Sequence, residues 1–521
     1  MTRQLPFGDA DANNVNLDEI IRSFIPMNSK KKQFNEVFNP STRVIFGKKG
    51  AGKTLYLRGI RNYLKNIENP DSIYVTDIDN QPPDTELITK ISSWYSDKPS
   101  LSDELWRKIW EVTIVQTTIT HILYSKELSN NTPSIDKDFF LKKYKKILPK
   151  NKAPNNLFNQ LTSVIEKFNS AQDLNHYLRS ELWGSLLYDF NVLIKNNPPI
   201  YFFLDQLDDD FINSPHSWLS CQYGLFNTIF RFLRNNTFGR RLHIIVCLRE
   251  FVYAYILNGQ HGTKYLNDSK IVVLKWNQET SKYFLNKKVE NLNKDFLIDP
   301  SGENSNQNFF GFDNVKCKRD KKLYDEKIEE YIVRHTQLMP RDIINIGNTF
   351  YEEFNQVIEK PYDKCLKIAV RNTAKQIAFE QLKIASLFLS TKWMYNGVFE
   401  DDNVNIYNED YVVNSFRFNL EKLIKSIGKD RFTHKTLMNR VKDKKNYGFE
   451  KSERPFNSLF LSGLLGYVEE DESENEFEVF FSESRTSQYE IPLLKKKYVF
   501  HSCLIDYLNI KPIKKPVYAT Y

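Results

Sequence analysis

Short apolar runs separated by long polar or amphipathic stretches set the architecture of this chain. Val44-Ile45-Phe46, Ser72-Ile73-Tyr74-Val75, Ile200-Tyr201-Phe202-Phe203-Leu204, Leu242-His243-Ile244-Ile245-Val246-Cys247-Leu248 and Ile271-Val272-Val273-Leu274 are near-continuous rather than alternating. That is the pattern of strands buried on both faces. Such strands belong in a parallel sheet with helical crossovers, so a doubly wound α/β core of five parallel strands is predicted. Between the second and third runs the pattern turns helical, predicting an insertion over about residues 80–197. Ser102 is placed to cap a helix carrying Asp103 and Glu104 in its first turn. Leu105, Ile109 and Val112 line one side of that helix, with Trp106, Trp110 and Thr113 adjacent. The tryptophan pair reads as core rather than docking surface. A second periodic stretch runs from Gln172 to Lys195, with Leu178, Leu182, Leu186 and Phe190 in register.

Outside the core the pattern is looser. Residues 1–40 are polar except for a short amphipathic piece, Leu17 to Ile25, and are expected to pack on the core. Residues 291–325 read as a loop rich in Asn, Ser and Gly followed by Lys316 to Lys322, within or beside a helical lid over 286–370. From about Arg371 the character changes: helices are predicted over Ala374–Ser390, Val413–Ile427, Phe432–Val441 and Phe456–Gly466. Tyr467-Val468 and Phe477–Phe481 follow as two strands joined by a turn. Helices followed by a β-hairpin predict a winged helix over 371–521, with 41–285 as the nucleotide domain. The helix before the hairpin is mostly apolar, and the wing tip is Glu469-Glu470-Asp471-Glu472-Ser473-Glu474. Such a wing is poorly suited to phosphate, so a protein-facing role is expected for it.

Composition narrows the classes. A chain of 521 residues with 41% hydrophobic and 14% aromatic content holds several packed cores and is not largely disordered. The net charge of +8 permits nucleic-acid contact without requiring it. Lys142-Lys143-Tyr144-Lys145-Lys146 is a basic patch that reads first as a solvated helix face. Cys221, Cys247, Cys317, Cys365 and Cys503 are scattered with no metal-ligand spacing, which argues against zinc and a disulfide framework. The N-terminus reads as lacking a signal peptide and no run reaches the length of a membrane span, so a cytoplasmic protein without a membrane partner is expected.

The chemistry sits where the first strand breaks. Gly47-Lys48-Lys49-Gly50-Ala51-Gly52-Lys53-Thr54 matches the phosphate-binding loop G-x-x-x-x-G-K-[ST], with Leu55 opening a helix behind it. The glycines let successive N–H groups point at phosphate oxygens, and the helix N-terminus adds positive potential. Lys53 then supplies a charge to the β- and γ-phosphates, and Thr54 a hydroxyl to Mg2+. ATP with Mg2+ is therefore the expected cofactor. Asp205, ending the third apolar run, is the expected magnesium carboxylate. Asp208 or Asp209 could take the proton from attacking water. Arg249, ending the fourth run, could touch the γ-phosphate, or else pair structurally with Asp205 or Glu250.

Together, Gly-Lys-Lys-Gly-Ala-Gly-Lys-Thr, Phe-Leu-Asp-Gln-Leu-Asp-Asp and Val-Cys-Leu-Arg-Glu resemble the successive motifs of STAND-type and origin-recognition-related P-loop ATPases. His335-Thr336-Gln337-Leu338-Met339-Pro340-Arg341-Asp342 resembles the Pro-Arg-Asp element of their helical lid. The resemblance implies that Arg341 reaches the phosphates when the lid closes and that a winged helix follows. It also implies a place in bacterial mobile-element or anti-phage defence loci. Gln206 stands where many relatives carry Glu, and an amide cannot accept water's proton. Either Asp208 or Asp209 is then the base or turnover is slow, with Gln206 only orienting water. The expected function is an ATP-hydrolysing molecular switch acting through self-assembly or a separately encoded effector. A DNA-associated ATPase of origin-recognition or transposition type is the alternative. A small-molecule phosphotransferase fits least, because no second substrate motif is visible.

Overall fold

The computed structural model describes residues 5–16, 24–26, 37–66, 72–81, 87, 90–91, 93–94, 101–129, 134–145, 147–148, 153–207, 215–234, 237–258, 262–319, 322–356, 361–395, 409–442, 454–471, 475–481, 491–492, 495 and 497–512. Of the Leu17–Ile25 piece, only Phe24 and Ile25 fall among these.

Five strands form one parallel sheet: β1 (Val44–Gly47), β2 (Tyr74–Asp79), β3 (Ile200–Leu204), β4 (Leu242–Arg249) and β5 (Ile271–Leu274), ordered β2-β3-β4-β1-β5. Successive side chains on a strand point to opposite faces, and here the two faces feed different cores. Val44, Phe46, Phe202, Leu204, Ile244 and Val246 enter one cluster. Ile45, Phe203, Ile245 and Cys247 enter the other, with Leu57, Ile60 and Leu64 of the helix Lys53–Lys65. Burial on both faces is why these strands are continuously apolar.

The insertion between β2 and β3 is helical. Its longest helix, Ser102–Tyr124, is buried on nearly every side, with Trp106 and Trp110 fully enclosed, and it packs along the helix Pro215–Arg234. Ser102 does not cap it. Leu101 holds the cap position, and Ser102 Oγ instead shares a hydrogen bond with Ser220 Oγ at 2.8 Å. The stretch expected from Gln172 to Lys195 is two helices, Ala171–Arg179 and Glu181–Lys195, broken at Ser180, whose Oγ accepts from Trp183 N at 3.2 Å. An i,i+4 repeat drifts about 40° per step, so one straight helix cannot keep that series on a single face. Leu186 and Phe190 stay buried while Leu182 is 42% exposed. In the basic patch Tyr144 is buried and donates to Asp189 Oδ2 at 2.6 Å, and Lys143 pairs with the same carboxylate at 2.7 Å. Lys142 and Lys145 are exposed, and Lys146 lies outside the described residues.

Beyond β5 come the helices Gln278–Glu290, Ser305–Phe310, Ile328–Val333 and Pro340–Gln356. Where a loop was expected, β6 (Asn314–Arg319) and β7 (Lys322–Lys327) pair as an antiparallel hairpin. Val315, Cys317 and Glu326 face inward, and Lys316, Lys318 and Lys327 outward.

A single helix then runs from Tyr362 to Tyr395, across residue 371, and packs on Pro340–Gln356 on one side. It also packs on Glu409–Ile427, Arg454–Leu461 and Ser502–Leu508, and on the core helix Pro215–Arg234. A four-stranded sheet completes this region: β8 (Arg431–Phe432), β9 (Leu465–Glu470), β10 (Glu476–Val479) and β11 (Tyr498–Phe500), ordered β10-β9-β11-β8. The helix Arg454–Leu461 ends four residues before β9, and Gly463, with φ of 73°, turns the chain between them. Phe456, Leu459 and Phe460 are all buried. The hairpin acids are partly neutralised within the fold. Arg431 pairs with Glu478 at 2.6 Å and Glu476 at 3.1 Å, and Lys495 with Glu469 at 2.5 Å.

Candidate nucleotide-binding site

The loop between β1 and the helix Lys53–Lys65 turns on two glycines in the left-handed region, Gly50 (φ 83°) and Gly52 (φ 93°). Trp276 Nε1 donates to Ala51 O at 3.0 Å and fixes the crest of the turn. No side chain caps the helix and none in its first turn is acidic, so its leading N–H groups keep their positive potential. Lys53 Nζ donates to the loop's own carbonyls, Gly47 O at 3.1 Å and Lys48 O at 3.0 Å. The ammonium is thus held over the cradle that phosphates would occupy.

Thr54 Oγ1 donates to Asp205 Oδ2 at 2.5 Å, bringing together two residues far apart in sequence. Asp205 is 3% exposed at the carboxyl end of β3, and its N–H is bonded to Asp79 O of β2 at 2.9 Å. Hydroxyl and carboxylate form a hard-oxygen pair suited to Mg2+, which takes one or two protein oxygens and completes its shell with phosphate and water. Among the described residues no group of three His, Cys, Asp or Glu side chains could hold a metal unaided. Gln206 follows with φ of 55°, a conformation that non-glycine residues adopt at a cost. Asp208 and Asp209 lie outside the described residues.

β4 separates β1 from β3, so its end also meets the loop: Arg249 is in register with Gly47. The next residue, Glu250, sits where burial raises its carboxyl above the usual range despite Lys48, Lys275 and Lys53 nearby. From the opposite side, Pro340 opens the helix Pro340–Gln356 and presents Arg341, whose N–H points at Gly50 O at 3.4 Å. Asp342 accepts from Gln337 N at 3.1 Å, and burial pushes its carboxyl up to about 6.

Lys49 to Tyr56, Asp205, Gln206, Arg249 and Arg341 line a cavity of about 540 Å³, within the range of small-molecule sites. Phe7, Phe24, Ile25, Val37, Trp276, Phe284 and Ile344 also line it, so polar and apolar side chains share its walls. The structure therefore brings together every described member of the expected site: Gly47, Lys48, Lys49, Gly50, Ala51, Gly52, Lys53, Thr54, Leu55, Asp205, Arg249 and Arg341.

The N-terminal segment was expected to pack on the core, but not to form a wall of this cavity. Residues Phe7 to Asn13 line the cavity, held by Phe7 N donating to Asn348 Oδ1 and Asn348 Nδ2 donating to Gly8 O, each at 2.9 Å. Lys288 Nζ donates to Phe7 O at 3.2 Å and Arg58 to Val15 O at 2.9 Å. Asx turns at Asp9 and Asp11 shape the segment. No sequence signal joins Phe7 to Asn348, because the anchor is a side-chain amide reading backbone atoms. Asp9, Asp11 and Asn13 are the one local signal there, since Asp and Asn favour such turns.

In a comparison with protein families, residues 5–80 match the family described as ORC-CDC6-like. The matched stretch contains the N-terminal wall, the phosphate loop and its helix, and β2. It supports a P-loop ATPase related to the ORC/CDC6 group, whose members use ATP and usually Mg2+. A search of curated proteins gave no match. Among the described residues no helix is long and apolar enough to cross a membrane.

Proposed function

We propose that this chain binds and hydrolyses ATP and uses the nucleotide as a switch for its C-terminal part, controlling assembly or release of a partner. One observation carries the switch reading. Lys48 Nζ in the phosphate loop donates to Gln337 Oε1 at 2.9 Å, and Gln337 Nε2 donates to Gly463 O at 3.2 Å, at the turn before β9. A loop that reshapes around phosphate is thus two hydrogen bonds from the C-terminal sheet. His501, which precedes the last helix, has its imidazole pushed down to about 3, chiefly by burial, with Lys48 contributing.

In this reading residues 41–285 form the ATPase domain, 286–370 the lid and 371–521 a winged helix, with 1–40 an N-terminal segment that packs on the core. Lys53 exchanges its loop carbonyls for β- and γ-phosphate oxygens. Thr54 and Asp205 would hold Mg2+, which supplies charge neutralisation for the transferring phosphoryl group. Arg249 and Arg341 approach the γ-phosphate from the core and the lid. Asp208 or Asp209 takes the proton as water attacks phosphorus and the β–γ bridging bond breaks. The partner is a second copy of the chain or a separately encoded effector, in the defence setting that the motif resemblance implies.

The test is Lys53→Ala. A ligand at 100 times its dissociation constant stabilises its target by about 2.7 kcal/mol. Mg-ATP should raise the melting temperature of the wild type and leave the variant unmoved. An equal rise in both would reject the site. The family match is consistent also with a second reading, a DNA-associated ATPase, for which the exposed Lys316 and Lys318 offer a place of contact.

A further inference from the structure

The phosphate loop already meets an anion that belongs to the chain. Glu380, on the helix Tyr362–Tyr395, places Oε2 3.1 Å from Arg341 Nη2 and 3.5 Å from Lys49 Nζ. One carboxylate oxygen therefore bridges a cation of the lid and a cation of the phosphate loop. The pairing leaves Arg341 incompletely satisfied: its Nε is buried with no hydrogen-bond partner among the described residues. A guanidinium offers a fork of parallel donors that a phosphate can fill in bidentate fashion. Arg341 also stands in the first turn of a helix, where the helix end itself favours an anion.

We propose that Glu380 is a positioning residue that competes with nucleotide phosphate for Arg341 and Lys49. This rests on the ATP-site reading above. While Glu380 holds both cations, it keeps Arg341 turned toward the long helix and that helix seated on the phosphate loop. A γ-phosphate that draws Arg341 away releases the seat, and with it the helix on which Arg454–Leu461 and Ser502–Leu508 pack. ATP binding and docking of the C-terminal region are then antagonistic, and each must weaken the other by the same factor. The balance is shallow enough to tip. The side chains are 41% exposed at Glu380, 40% at Lys49 and 26% at Arg341, and ion pairs of this kind are weak.

The experiment measures ATP and ADP affinity of the full chain in four forms: wild type, Glu380→Gln, Arg341→Ala and the double variant. Removing the competing charge should tighten ATP binding by roughly 2- to 10-fold. That gain should shrink in the Arg341→Ala background, where only Lys49 is left for Glu380 to hold, and be smaller for ADP. Hydrogen exchange over 454–471 should rise on ATP binding to the wild type and be raised beforehand in Glu380→Gln. A purely structural Glu380 gives the opposite: weaker or unchanged ATP binding, with the same change in both backgrounds. Either of those results overturns the proposal. Glu380→Asp, which keeps the charge but shortens its reach, should also tighten ATP, and failure to do so counts against competition. A wild type that binds no nucleotide rejects the ATP-site reading itself, a result distinct from binding that is indifferent to residue 380.

Discussion

Two glycines a residue apart in the phosphate loop should respond very differently to the same added methyl group. Gly50 and Gly52 both sit in the left-handed region, at φ 83° and 93°, so alanine at either position costs about 1–2 kcal/mol in backbone strain. At Gly52 nothing lies within 4 Å of the new Cβ, so strain is the whole penalty. At Gly50 the new Cβ would stand 2.8 Å from Arg341 Cβ, where carbon pairs rest at about 3.5–4.0 Å. Both atoms are bonded directly to backbone and cannot rotate aside, so loop and lid must separate by about 0.7 Å or more. Overpacking of this kind costs a further 1–3 kcal/mol or so. Gly50→Ala should therefore cost about 2–5 kcal/mol against about 1–2 for Gly52→Ala. It should also break the approach of Arg341 N to Gly50 O. The assay is urea unfolding of both variants without nucleotide, paired with hydrogen exchange over residues 338–346. Faster exchange there in Gly50→Ala alone is the expected signature. Equal losses, or a harmless Gly50→Ala, would refute the loop–lid contact.

Asp205→Asn should retain nucleotide but lose the Mg2+ dependence of binding and nearly all hydrolysis, since an amide cannot replace the anionic metal ligand; persisting Mg2+-dependent turnover would remove Asp205 from the site. Acid should destabilise the chain before most carboxylates titrate. Burial holds His121 down to about 4, and burial with Arg43 holds His243 down to about 3, so the unfolded state binds more protons than the folded one below about pH 6.5. Their stabilising effect is present above that pH and is lost as it falls, by about 2 kcal/mol per histidine at pH 5. Asp79 and Asp342, both raised to about 6, act the other way, because their contribution is lost as pH rises through 6. His243→Gln should shrink the stability difference between pH 7 and pH 5 by about 2 kcal/mol in denaturant titrations, and an unchanged difference would contradict the burial argument. Labelled duplex DNA should bind the full chain weakly at physiological salt, with what binding there is lost in Lys316→Glu/Lys318→Glu; tight binding insensitive to that pair would place the contact elsewhere.

The sheet and the phosphate loop were legible because both are local. Continuous apolar runs announce strands buried on two faces, and the loop is a contiguous motif whose glycines answer directly to backbone geometry. The meeting of Asp205 with Thr54 was legible because a carboxylate was expected at that strand end. Other features depended on tertiary partners and were not legible. Ser102 has the composition of a cap, but the partner it finds is Ser220 on another helix. Ser180 looked like one polar position in a long periodic stretch and is a break with its own cap. The β6–β7 hairpin hid because its lysine-rich strands alternate weakly and bury little beyond Val315, Cys317 and Glu326. The place of Phe7 to Asn13 in the cavity wall, and the role of Glu380, were invisible for a deeper reason: each depends on a contact with a residue tens to hundreds of positions away.

The helix Tyr362–Tyr395 has 34 residues and contains neither glycine nor proline, so it spans about 50 Å at 1.5 Å per residue with no built-in point of bending. It packs on the helix that carries Arg341, on the C-terminal helices and on the core helix Pro215–Arg234, and Phe388 near its far end stands edge-on to Phe251. In the proposed reading it is a lever arm whose fulcrum is Glu380, where the helix meets Lys49 and Arg341. A tilt of roughly 10° there would swing the far end, about 22 Å beyond, by about 4 Å. A change of anion at Arg341 would thereby be read well outside the phosphate loop, on the part of the molecule that this helix carries.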